Sequence, residues 1–193
     1  MYGLVLAGGQ SRRMGTDKGA LDYHGMPQRQ YLYELLQNFC EKTYISCRVE
    51  QAGTWEEDVE YNYLYDRYED LGPVTGIITA LKFKPYTTWL VVACDLPYLN
   101  EETIDALIRQ RNPAKIATAY VNPKNDLPEP LLTIWEPQSK PIIEKFIEED
   151  NTSPLNILKE SEVHLIQIAQ PLVLTNANHP EEYKKALDEL KGL

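Results

Sequence analysis

Trp89-Leu90-Val91-Val92-Ala93 is an unbroken apolar run that leads directly into Cys94-Asp95-Leu96-Pro97. Five apolar residues without alternation offer no face to water. The run therefore predicts a central strand covered on both sides, as in a parallel sheet. Working outward, residues 2–7 form a second apolar run that stops at Gly8-Gly9, and its length and flanking glycines favour strand over helix. Further strands are predicted at 43–47, at 61–65 with Asp66 at its end, and at 115–121, 131–135 and 163–168. Tyr61, Tyr63 and Tyr65 alternate at strand period and read as one packed sheet face.

Helical patterns separate these strands. Leu32, Leu35, Leu36 and Phe39 recur at i, i+3, i+4, i+7 behind Pro27, predicting a helix over 27–39. A helix after Leu71-Gly72-Pro73 turns Ile77, Ile78 and Leu81 inward. Asn100 reads as the N-cap of a helix burying Ile104, Leu107 and Ile108. Helices over 138–148, burying Ile142, Ile143, Phe146 and Ile147, and over 180–190 complete the set. Strands alternating with helices predict an α/β protein with a mostly parallel sheet in a three-layer α/β/α, Rossmann-like arrangement. No repeat, linker or low-complexity stretch divides it, so residues 1–193 are expected to form one domain. Ligands of such sheets bind beyond the carboxyl ends of the strands, where strand order reverses. Segments 8–18, 66–76 and 94–97 each follow a predicted strand, so all three are expected on one edge.

Bulk properties exclude some partners. With 19 basic and 29 acidic residues the formal net charge is −10. That field opposes nucleic acid and anionic membranes, while a few local cations still permit a small phosphorylated ligand. Cys40, Cys47 and Cys94 show no CxxC spacing and read as reduced, mostly buried thiols of a cytoplasmic protein. The apolar run Leu4-Val5-Leu6-Ala7 is too short for a signal peptide core or a span of about 20 residues.

The segment Leu6-Ala7-Gly8-Gly9-Gln10-Ser11-Arg12-Arg13-Met14-Gly15-Thr16-Asp17-Lys18 carries the parts of a phosphate cradle. Adjacent glycines let main-chain N–H groups face an anion, Ser11 adds a hydroxyl, and Arg13 and Lys18 add positive charge. The spacing is not Walker A, because Thr16-Asp17 separates Gly15 from Lys18, and Gly8, Gly9 and Gly15 do not fit G-x-G-x-x-G. A plain strand-to-helix turn with solvated arginines is the competing reading. Asp95, at the exit of a buried strand, suits Mg²⁺, a hard cation that takes carboxylate and phosphate oxygens; a turn or helix-capping aspartate is the alternative. His24 and His164 belong to no constellation and read as solvated or structural.

L-A-G-G-x-S-x-R-M-G-x-D-K resembles the signature of the molybdenum cofactor guanylyltransferase family, within the sugar-nucleotide-transferase-like superfamily. Cys94-Asp95-Leu96-Pro97 is similar to that family's C-D-x-P, whose aspartate binds magnesium. Asp66 with Leu71-Gly72-Pro73-Val74-Thr75-Gly76 is similar to its D-x(n)-G-P-L-x-G, whose aspartate contacts the nucleoside; a turn with a solvated Asp66 is the bland alternative. Residues 175–182 resemble N-x-N-T-P-E-E, which brings Asn176 and Asn178 to the second-substrate side. His179 replaces the family threonine and is a poorer N-cap, by about 1 kcal/mol. Glu129-Pro130-Leu131-Leu132 resembles a segment lying toward the second substrate, with a proline-led edge strand as the other reading.

The resemblance implies a nucleotidyltransferase fold and an enzyme that transfers GMP from MgGTP to the phosphate of molybdenum-molybdopterin, releasing pyrophosphate. It implies nucleotide contacts from Leu6, Ala7, Gly8, Gly9, Ser11, Lys18, Asp66 and Asp95, with Lys18, Arg13 and Asp95 catalytic and Asp95 holding Mg²⁺. Transient contact with proteins that deliver or accept the cofactor also follows from it. Arg48 departs from an asparagine the family often carries near the guanine. Cytidylyl transfer to the same cofactor, transfer to a sugar or alditol phosphate, and an inactive nucleotide- or cofactor-binding protein are the alternatives.

Overall fold

A computed structural model describes residues 1–9, 14–55, 61–68 and 71–192. Its frame is a seven-stranded sheet: β1 (Tyr2–Leu6), β2 (Lys42–Cys47), β3 (Tyr63–Tyr65), β4 (Trp89–Ala93), β5 (Ala117–Asn122), β6 (Leu127–Trp135) and β7 (Val163–Gln167). The spatial order is β3-β2-β1-β4-β6-β5-β7. β1 pairs in parallel with both β2 and β4, β2 with β3 and β5 with β7, whereas β6 runs antiparallel between β4 and β5. The sheet is thus mostly parallel, and its order reverses between β1 and β4.

Helices cover both faces. α1 (Gln28–Gln37) and α4 (Glu101–Arg109) set Leu32, Leu36, Ile104 and Leu107 against Val5, Ile45, Leu90 and Val92. On the other face, α3 (Val74–Phe83), α5 (Ser139–Glu148) and α6 (Pro154–Lys159) set Ile77, Ile78, Leu81, Ile143 and Ile157 against Leu4, Trp89 and Val91. Successive β4 side chains feed opposite cores, which is why that strand shows no polar alternation. Asn100 caps α4 as expected, its side chain accepting from the Thr103 N–H at 3.0 Å. Among the described residues the remaining α-helices are the single turn α2 (Val49–Ala52) and α7 (Pro180–Lys191). No helix among the described residues is long and apolar enough to cross a membrane.

Several expectations need correction. β6 starts at Leu127, four residues before the predicted 131, and it is an inner strand, not an edge. Its two prolines are tolerated because β4 pairing ends at Leu132 and the β5 register shifts between Ala119 and Val121. The three tyrosines do not share one packed face. Tyr61 precedes β3 and is buried against Tyr33, whereas Tyr65 ends the short edge strand at 46% exposure. Ile108, Ile142, Phe146 and Ile147 are half-buried where full burial was expected, while the thiols are mostly buried as expected, Cys47 and Cys94 fully and Cys40 in part. Helix α6 was not predicted, since six residues are too few to show a period; Ser153 caps it by accepting from Asn156 at 3.3 Å.

One close approach locks the layers together at the switch point. A β-carbon on Gly76 of α3 would run into the Ser46 hydroxyl and the Leu6 side chain. Gly76→Ala is therefore expected to cost about 1–3 kcal/mol through overpacking, read as a lower denaturant midpoint at unchanged slope.

Candidate nucleotide site

Register alone gathers the loops. Leu6 pairs with Ser46 and with Ala93, and Cys47 pairs with Tyr65. Residues following β1, β2, β3 and β4 therefore emerge at one level on the carboxyl edge. Main-chain bonds extend this beyond the strands: Ala7 donates to Ser46 at 2.8 Å, Asp66 to Cys47 at 2.9 Å and Cys94 to Leu6 at 3.3 Å. Because β6 runs the other way, it delivers its early residues, Glu129 to Leu131, to this same edge. The cleft there has a volume of about 990 Å³, and among its lining residues are Leu6, Ala7, Gly8, Gly9, Lys18, Asp66 and Asp95. Seven of the expected nucleotide-side residues are thus brought together. Ser11 and Arg13 lie outside the described residues.

Lys18 opens a 3-10 turn (Lys18–Ala20) whose cap is Asp17, with the Asp17 carboxylate accepting from the Gly19 N–H at 2.9 Å. From that turn the Lys18 ammonium reaches Asp95 Oδ2 at 3.6 Å and donates to Asn178 Oδ1. The other Asp95 oxygen, Oδ1, is buried without a hydrogen-bond partner among the described residues. A buried carboxylate oxygen left in this way is costly unless a ligand completes it. No group of three or more His, Cys, Asp or Glu able to hold a metal occurs among the described residues. The unpartnered Asp95 oxygen is itself a donor suited to a hard cation that also takes substrate phosphate oxygens, as Mg²⁺ does.

Asp66 accepts from the Ser46 hydroxyl at 2.5 Å, and burial pushes its carboxyl above the usual range against the pull of that bond and of the Arg48 guanidinium. Its carboxylate occupies the space a Gly8 side chain would need, so a β-carbon at Gly8 would displace it. Arg48 precedes α2 and joins the cleft lining together with Val49 and Glu50.

The second-substrate candidates sit beside the cleft, not in its lining. Asn178 touches Lys18, and the Ala177 N–H donates to the Asp95 carbonyl at 2.9 Å, which sews the C-terminal segment to the strand exit. Asn176 is half-buried next to it. Although His179 replaces threonine, the returning half of the cap is made: Glu182 accepts from the N–H groups of Asn178 at 2.7 Å and His179 at 3.0 Å. His24 is structural, stacked on Tyr31 with ring centroids 3.7 Å apart and bonded to the Pro97 carbonyl at 3.0 Å.

Glu129 is 5% exposed and accepts from the Leu131 N–H and the Asn122 amide, each at 3.2 Å. Burial raises its carboxyl, and the negative charge of Asp95 adds to the effect. A raised folded value means the native state holds this proton more tightly than the unfolded chain does. The associated stability is complete below about 4.5, the ordinary Glu value, and is lost as pH rises through the folded value. Glu129→Gln is expected to remove that loss: the gap between its denaturant midpoints at pH 4 and pH 7 should move toward greater stability at pH 7 relative to the parent.

Residues 3–164 match the model of the MobA-like NTP transferase domain. The chain belongs to that family. A molybdenum cofactor biosynthesis bifunctional protein of Synechocystis is 39% identical over 184 residues, covering 95% of this chain but 52% of that protein. The chain thus spans about half the length of that relative. A molybdenum cofactor guanylyltransferase of Pseudomonas putida is 28% identical over 181 residues, covering 92% of this chain and 93% of the other. Among solved structures, molybdopterin-guanine dinucleotide biosynthesis protein A from Archaeoglobus fulgidus superimposes with a TM-score of 0.83 at 25% identity over the whole of both chains. The switch-point cleft of this MobA-like domain is where its nucleotidyltransferase chemistry is to be sought.

Sequence reading missed Gln51 and Trp55, whose side chains donate to the Ala7 carbonyl and to Asp17, each at 3.1 Å. Their signal was faint but present: Trp55 is the one tryptophan of three that stands in a polar stretch, Gly53-Thr54-Trp55-Glu56-Glu57, and not in an apolar strand.

Proposed function

We propose that this chain, acting as one nucleotidyltransferase domain over residues 1–193, transfers GMP from MgGTP to the phosphate of molybdenum-molybdopterin. The observation that carries the reading is the pairing of Lys18 with Asp95 across the β1–β4 switch point, beneath a glycine loop, in a MobA-like chain. In the reaction a phosphate oxygen of the acceptor attacks the α-phosphorus in line. The bond from that phosphorus to the bridging oxygen breaks, and pyrophosphate leaves.

Such a transfer is chiefly positioning and charge neutralisation. Leu6, Ala7, Gly8 and Gly9 present main-chain groups to the nucleotide, with Ser11 and Arg13 of the same loop assigned to the phosphates. Lys18 places an ammonium where charge builds on the α- and β-phosphates. Asp66 holds the nucleoside end beside Arg48. Asp95 would hold Mg²⁺, which supplies charge neutralisation between the phosphates of the two substrates. Asn178, bonded to Lys18, orients that ammonium from the acceptor side, to which Asn176 and Glu129 are also assigned. This chemistry belongs in the cytoplasm, with transient contact to proteins that deliver or receive the cofactor.

The test is an assay with MgGTP and molybdenum-molybdopterin that follows pyrophosphate and the dinucleotide together. Equimolar formation of both, at a rate well above that with CTP, is the expected result. Preference for CTP, or no transfer from either nucleotide, overturns the guanylyl assignment.

A further inference from the structure

The phosphate loop is held at both ends by one short segment that no substrate contact explains. From α2, the Gln51 amide donates to the Ala7 carbonyl at 3.1 Å, at the loop's entry, while its oxygen accepts from the Arg48 N–H at 3.1 Å. Four residues on, the Trp55 indole N–H donates to Asp17 Oδ2 at 3.1 Å, at the loop's exit. Asp17 uses its other oxygen to cap the turn that begins with Lys18, accepting from Gly19 at 2.9 Å. The indole is itself fixed, with the Arg29 guanidinium 4.2 Å from its ring centroid and the Tyr63 ring 5.7 Å away. Arg29 is 4% exposed and rises from α1, so the contact belongs to the packed body of the fold.

We propose that residues 48–55 brace the phosphate loop, with Trp55 acting as a positioning residue for Lys18 through Asp17. A carboxylate with one oxygen on a main-chain N–H can still pivot about that bond. A second donor on the other oxygen stops the pivot, and the turn it caps is then fixed in direction. The side chain that benefits is Lys18, whose ammonium must meet phosphate charge within a few tenths of an ångström for full effect. Gln51 does the same for the first residue of the loop, so the glycines between are anchored on both sides. Arg48, Val49 and Glu50, which line the cleft, belong to the same segment, so the brace is continuous with the cleft wall.

The kinetic arm of the test rests on the guanylyl-transfer reading; the exchange arm does not. Trp55→Phe keeps one aromatic ring for Arg29 and Tyr63 while removing the N–H and the second ring of the indole. In the protein without nucleotide, hydrogen exchange at the Gly19 amide should quicken by about 10-fold or more. Gln51→Glu keeps the acceptor for Arg48 and loses the donor to Ala7, and serves as the second variant should the first fold poorly. Its exchange should quicken at the amides following Ala7. In turnover, Trp55→Phe should lower kcat by about 10-fold, with the KM for GTP changed far less. Combined with Lys18→Ala, it should cause no further loss, because it acts through that ammonium. Unchanged exchange at Gly19 overturns the brace. Faster exchange with additive losses in the double variant overturns the positioning role and leaves Trp55 a packing residue. A parent protein that transfers no GMP overturns the function proposed above, and the exchange arm then still decides the brace.

Discussion

Asp95→Ala is expected to abolish Mg²⁺-dependent turnover, a loss on the order of 10³-fold or more, while the protein folds as before. The two halves of this expectation have separate physical grounds. Stability should barely move because the Asp95 carboxylate contributes little to the core. One of its oxygens has no partner among the described residues, and the other meets Lys18 at 3.6 Å with 22% of the lysine side chain exposed. With the Asp95 side chain only 13% exposed, desolvating the carboxylate offsets most of what so long a pair returns. Losing the charge could even relieve the cost of the partnerless oxygen. Activity should collapse because this carboxylate stands at the β4 exit, facing the cleft beside Lys18, with one oxygen left for a metal ion. Circular dichroism and the thermal midpoint report the fold; a pyrophosphate assay across a Mg²⁺ titration reports the rest. Turnover near that of the parent, with its magnesium dependence intact, would sink the metal assignment.

How much of this was legible beforehand follows from the range of each interaction. The apolar run 89–93 and the glycines at 8 and 9 pointed to a buried strand beside a glycine loop, because those signals are local. That the loops after β1, β3 and β4 share an edge followed from strand direction alone, and the pairing of Leu6 with Ala93 agrees. The reversal of β6 was not legible. Alternation along a strand carries no information about which way its neighbour runs, yet that reversal is what brings Glu129 to the site edge. Equally hidden was the grip of Trp55 on Asp17, which joins positions 38 apart in sequence. The burial of Glu129 was missed for a related reason: its two donors come from Asn122 across the β5–β6 hairpin and from its own strand's bulged start. Side chains that recognise other side chains over long separations leave no period to read.

Lys18→Ala is expected to lower kcat by about 10²- to 10³-fold, as for loss of a donor aimed at developing charge. The fold again should hold, since the turn carrying Lys18 is capped by Asp17 through main-chain groups that the substitution leaves in place. Arginine is not a conservative rescue. The ammonium sits between Asp95 and Asn178 as a compact point charge, and a planar fork of five donors would meet those two oxygens in a different geometry. A second consequence separates a catalytic lysine from a merely structural one. Without nucleotide, the ammonium and a divalent ion compete for the same carboxylate, so removing the ammonium should strengthen Mg²⁺ binding to Asp95 even as the rate falls. Calorimetric titration of Mg²⁺ into the parent and the variant measures this directly. Tighter metal binding with slower turnover is the signature of a charge that Asp95 holds in reserve until phosphate arrives. Unchanged turnover would remove Lys18 from the mechanism. Weaker metal binding would mean that the lysine orders the carboxylate and does not compete for it.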